Sequence, residues 1–150
     1  MTSIYTQLKD KADGVYIDFK RIVERDEFDN TPPDKRDDGY WPSLNPHDAG
    51  FIGEDKTAGD LVRATEAAQS RYDEFMRGEW WRCGVKARAV IHHKTRGSVC
   101  TYTLESAGIW GVESDCDESA LAALFESEKS ELRGLILALR SAQELTGATC

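Results

Sequence analysis

Four acidic residues, Glu113, Asp115, Asp117 and Glu118, stand close to alternate positions, a spacing with which carboxylates can surround a hard cation such as Mg²⁺ or Ca²⁺. The glycine and the distal glutamate of an EF-hand loop are missing at the required offsets. The same residues precede an apolar run of helical spacing, where anionic side chains meet the exposed N–H groups of a helix start. Capping by Asp115 or Asp117 is therefore the expectation, and no metal. His92, His93, Cys83 and Cys100, with His47 as a further candidate, have the ligand types of a zinc site. Adjacent histidines on a strand point to opposite faces, which argues against one shared ion. If His93 pairs with Val99 across a turn, His92 faces Cys100 as a thiol and imidazole, but no third group orients them. No P-loop, GxGxxG or GxSxG occurs. The expectation is no catalytic residue, no cofactor and no enzyme, with a small hydrolase-like enzyme on Cys100/His92 or the Glu113–Asp117 cluster as an alternative.

The elements that must position these residues begin with Trp80–Asp115, which reads as two long β-strands. Trp81, Cys83, Val85, Ala87, Ala89 and Ile91 share one parity, and Arg82, Lys86, Arg88 and His92 the other. Successive strand side chains alternate between faces, so one face is apolar and the other basic. Lys94-Thr95-Arg96-Gly97-Ser98 supplies the turn, and Gly108 and Gly111 around Ile109-Trp110 mark a kink, a bulge or a short third strand. Tyr5, Leu8, Ala12, Val15, Phe19 and Val23 recur at three and four, which predicts a helix from residue 3 to about 24. A charged loop with Pro32-Pro33 follows. Gly39–Asp55 cannot be regular, yet Tyr40, Trp41, Leu44, Phe51 and Ile52 are too apolar for a free linker; they either lid the sheet or form a binding surface. Thr57 to about Arg77 reads as a helix with a capping box at Thr57/Asp60 and Gly78 at its end. A last helix runs to about Leu145 on a stripe of Leu121, Leu124, Phe125, Leu132, Leu135, Ile136 and Leu139. The expected fold class is α+β in the order α–α–β–β(–β)–α, a two- to three-stranded antiparallel meander packed by helices. Residues 1–150 would form a single domain, with 1–38 as an N-terminal helical arm and charged loop.

With 150 residues the chain can bury a core without staples, and its four cysteines read as reduced thiols. No apolar run approaches a membrane span, and MTSIYTQLKDKADG lacks the basic-then-apolar order of a secretory signal, so cytoplasm is the expectation. The net charge of −8 is unevenly spread. Five cations against Glu105 leave Trp80–Val112 at +4, and the remainder carries −12. An acidic body suits docking on a basic, nucleic-acid-handling surface. Arg82, Lys86 and Arg88 form an alternative nucleic-acid-binding face near Trp80 and Tyr102, ranked second because stacking-sheet aromatics are missing and the pI is near 4.9.

GYWPSLNPHDAGFIG (Gly39 to Gly53) and LESAGIWGVESDCD (Leu104 to Asp117) together resemble small, mostly uncharacterised accessory proteins of bacteriophages and prophages, over roughly Gly39 to Leu132. That family's motifs carry no established chemistry. The resemblance implies a product acting in the host bacterial cell by binding and blocking host machinery, such as restriction or CRISPR systems. The expected partner is a host protein or protein complex. Tyr40 and Trp41 would be its anchors and Asp34, Asp37, Asp38, Asp115 and Asp117 the steering charges. Oligomeric state has no signature in the sequence.

Overall fold

In a computed structural model that describes residues 11–146, the alternating stretch forms strand β2 (Arg82–Thr95), at the centre of a four-stranded antiparallel sheet. Before it come β1 (Gly14–Arg25), the single-turn helix α1 (Pro33–Arg36) and helix α2 (Ala58–Met76). After it come β3 (Ser98–Glu105), β4 (Ile109–Glu113) and the long helix α3 (Glu118–Thr146). β1 and β3 flank β2, and β4 pairs with β2 as well. The class is α+β, but the order corrects the α–α–β–β(–β)–α expectation: the first described element is a strand, and the sheet has four strands rather than two or three. The chain packs as two compact units, the sheet with α3 and the segment Arg25–Arg82 with Glu113–Asp115.

The helix expected up to residue 24 is replaced by β1, and its first part, residues 3–10, lies outside the described residues. The physical reason is composition. Val15, Tyr16, Ile17, Phe19, Ile22 and Val23 are β-branched or aromatic, and side chains of that kind pack best on a pleated, half-buried surface. Val15, Ile17 and Phe19 also alternate with Tyr16, Asp18 and Lys20, and beside β2 the period-two reading wins.

The apolar parity of β2 is buried as expected. Val85, Ala87 and Ala89 are at 0% exposure, and Leu132 and Ile136 of α3 close over Ala87, Ala89 and Ile91. Val15, Ile17, Phe19, Leu104 and Phe125 rim this core. Each large apolar side chain buried here contributes roughly 1.5–3 kcal/mol. Trp81 departs from the pattern and is exposed, so the buried parity begins at Cys83. Leu135 and Leu139 of the expected α3 stripe are also largely exposed.

The β2–β3 hairpin closes on two residues, Arg96 and Gly97, with φ of 45° and 87°. Positive φ at both central positions is the type I′ geometry that matches strand twist. This tight turn draws Thr95 and Ser98 into the ladder and moves the register. Lys94 pairs with Val99, His93 with Cys100 and His92 with Thr101, so the expected His92–Cys100 pairing does not form. Between β3 and β4, Ser106 N–H donates to the Ala87 carbonyl at 2.9 Å, and Ala87 N–H donates to Ser106 Oγ at 2.9 Å. The buried Glu128 of α3 accepts from Gly108 N–H at 2.9 Å. β4 then lays Trp110 over Gly84, where a Cβ would come within 2.5 Å of the indole.

In the second unit, Thr57 and Asp60 form the expected capping box at the start of α2. At its end Gly78 N–H donates to the Phe75 carbonyl and Glu79 N–H to the Glu74 carbonyl, both at 2.9 Å, with Gly78 at φ +72°. This pairing is the Schellman ending. No described helix is both long and apolar enough to cross a membrane.

Candidate functional site

Pro33 opens α1 from a buried position and ends the extended chain before it, so that Asp34, Asp37 and Asp38 come around one short turn. Asp37 N–H closes that turn on the Pro33 carbonyl at 3.2 Å, and an Arg36–Asp29 ion pair ties it down. Gly39, at φ +90°, then lets the chain approach Ala49, and a Cβ on Gly50 would stand 1.9 Å from the Trp41 carbonyl oxygen. Only glycine permits this closure. Ser43 N–H donates to the Gly50 carbonyl at 2.8 Å and Ile52 N–H to the Ser43 carbonyl at 3.0 Å. Inside the loop the Asp48 carboxylate accepts from Ser43 Oγ at 2.6 Å and from Asn45 Nδ2 at 3.0 Å. Side-chain turns of this kind give an irregular loop one conformation.

The result is an open pocket of about 640 Å³ lined by Asp34, Asp37, Asp38, Tyr40 and Trp41, with the closed loop as its far wall. Asp34 Oδ1 is buried there without a hydrogen-bond partner. Asp37 Oδ2 forms a 3.9 Å ion pair with Nη2 of Arg82, whose side chain is 6% exposed and whose Nε and Nη2 make no hydrogen bond. Asp38 has no ion pair among the described residues. Tyr40 donates its hydroxyl to the Ala68 carbonyl of α2 at 2.7 Å, and burial raises its pKa. It is a post that fixes the loop to the helix. Trp41 meets Tyr40 edge-on at 5.3 Å and stays 41% exposed. Carboxylates beside an exposed indole face attract a cation such as an ammonium or guanidinium.

Of the sequence-derived site residues, Asp34, Asp37, Asp38, Tyr40 and Trp41 are brought together, whereas Asp115 and Asp117 serve elsewhere. Asp115 receives both Nη atoms of Arg71 at 2.6 Å, and this guanidinium holds its carboxyl below the usual range. Glu113 binds the same arginine at 2.6 Å and Glu74 at 3.2 Å, and the Asp115 contact, followed by these two, drives the Arg71 pKa up. Trp80, 1% exposed, packs 4.1 Å from that guanidinium and donates its indole N–H to the Arg71 carbonyl at 3.2 Å. Asp117 caps α3: its Oδ1 accepts from Ser119 Oγ at 2.6 Å and Ala120 N–H at 2.8 Å, which lowers its pKa. Among the described residues no group of three His, Cys, Asp or Glu side chains is placed to hold a metal ion.

The alternative basic face is largely neutralised. Arg82 is buried, Lys86 is 2.7 Å from Glu24 and 3.8 Å from Glu105, and Arg88 is 2.6 Å from Glu105. His92, also buried, shares a hydrogen bond of 3.0 Å between Nδ1 and Thr101 Oγ1, and its Nε2 lies 3.5 Å from Asp18. Cys100 is exposed opposite His93.

Sequence reasoning missed Arg71, Ser106 and Glu128. Glu74 is the i,i+3 neighbour of Arg71, but Glu113 and Asp115 lie 42 and 44 positions away, so no local pattern announces them. Ser106, just before Gly108, could have been found as part of the strand break that the glycine signals. Comparison of the chain with family models, curated proteins and solved structures gives no match.

Proposed function

We propose that this protein works by stoichiometric binding, presenting the Asp34–Trp41 pocket to a basic segment of a partner protein. The observation that carries the reading is the pocket itself. Asp34 keeps a buried, unpartnered carboxylate oxygen, Asp37 and Asp38 stand nearby, and Trp41 is exposed on a loop braced by its own hydrogen bonds. A preorganised loop loses little freedom on binding, and an exposed aromatic beside unpaired charge is a common anchor. The overall charge of −8 adds long-range attraction to a basic target. The resemblance of Gly39–Gly53 and Leu104–Asp117 to phage accessory proteins supports a host protein complex that handles nucleic acid as the target, blocked in the bacterial cytoplasm.

Affinity capture from bacterial lysate, with nuclease treatment and a salt series, tests this. The proposal predicts a protein partner that survives nuclease and is released by salt, because exposed charge pairs are screened within about 10 Å at ~0.1 M ionic strength. Recovery of nuclease-sensitive material alone would favour the Lys86/Arg88 face instead.

A further inference from the structure

β1 is an outer strand, and no described strand pairs with its far edge. It is 12 residues long, against about 5–6 for a typical strand, so it offers an extended row of backbone donors and acceptors. Next to it, Ile17 and Phe19 of β1 and Arg133, Ile136, Leu137 and Arg140 of α3 line an apolar groove of about 190 Å³. Leu137 is among the most exposed large side chains of the described residues.

We infer that this edge pairs with the same edge of a second copy of the chain, antiparallel, about a two-fold axis at Phe19. The charge order on the strand singles out that occupant. Asp18 and Lys20 sit on either side of Phe19 and share the face opposite the core. In an antiparallel pair centred on Phe19, Asp18 lies directly opposite Lys20 of the second copy, and Lys20 opposite its Asp18. Residues directly opposite share a face and interact. Val15 and Val23 also meet across the axis, covering exposed Val23. A slip by two residues sets Asp18 against Asp18 or Lys20 against Lys20, so the register is specified. Lys20 has no ion pair among the described residues, so it is available for this contact. On the core face Phe19 meets Phe19 at the mouth of the groove, and the two α3 helices flank the joined sheet on the same side.

Sedimentation equilibrium of the whole chain over about a hundredfold concentration range tests this, since a dimer follows mass action. The wild type is expected to approach twice its 16.8 kDa mass at the upper end. Lys20→Asp alone and Asp18→Lys alone each set like charges together twice and should give monomers. Mixed in equal amounts, the two variants should form a heterodimer, because every cross-strand pair is then opposite in sign. Far-UV circular dichroism of each variant reports whether it is folded. A wild type that stays monomeric, dimers untouched by either substitution, or a mixture that stays monomeric while both variants are folded would overturn the inference. An edge that instead takes an extended segment of another protein would show the first of these results.

Discussion

Arg71 holds Asp115 at two points, Nη1 to Oδ2 and Nη2 to Oδ1, each at 2.6 Å, while the same guanidinium lies over the Trp80 ring. Replacing Arg71 leaves Glu74, Glu113 and Asp115 clustered without their cation. The carboxylates are partly solvated, which limits the cost. Arg71→Met is expected to destabilise by about 1–2 kcal/mol in thermal or denaturant unfolding. Arg71→Lys should recover part of this, since an ammonium keeps the charge but not the two-point geometry.

Val85→Asp places an unpaired carboxylate at a position with 0% exposure. A loss of more than about 3 kcal/mol, or failure to fold, is expected in denaturant unfolding. A neutral result would mean that the apolar parity of β2 does not face the core.

Gly84→Ala forces a Cβ to within 2.5 Å of the Trp110 indole. The variant should lose stability and change the tryptophan fluorescence. Trp110→Ala should remove most of the penalty of Gly84→Ala, giving a large coupling in a double-mutant cycle.

The acidic groups at the helix starts set a pH dependence. Hydrogen bonds from Thr57, and then Arg63, hold the Asp60 carboxyl at about 2, and Arg21 likewise lowers Glu118. Their folded values lie below the unfolded ones of roughly 4, so the stabilisation is complete above that range. It is lost as pH falls through the folded values, near 2 for Asp60. Far-UV circular dichroism during acid titration should show helix loss on the acid side only, and Asp60→Asn should flatten part of that response. Helix loss on raising the pH from neutrality to mildly alkaline values would contradict this assignment.

The central strand and the two long helices were legible because their signals are local: alternation in Cys83–Ile91, a capping box at Thr57 and Asp60, a glycine after Arg77. β1 was not, because Val15, Phe19 and Val23 satisfy helical spacing and strand spacing alike, and the neighbouring strand decides between them. The hairpin register turned on whether Arg96 would accept a positive φ, which arginine seldom does. At the pocket, Asp34 to Trp41 are neighbours in sequence and could be grouped by eye. Asp115 was grouped with them by charge alone, and its arginine, far away in the chain, takes it out of the set.

Partner capture by the intact chain, set beside Asp38→Asn/Trp41→Ala, tests the binding account most directly. These side chains line the open pocket, and Trp41 is exposed, so unfolding midpoints should change little. Quantitative mass spectrometry of the nuclease-treated, salt-released fraction is expected to show one protein partner falling at least about tenfold with the variant, as loss of an aromatic anchor and a neighbouring charge implies. Equal recovery of that partner by wild type and an equally stable variant would contradict the account.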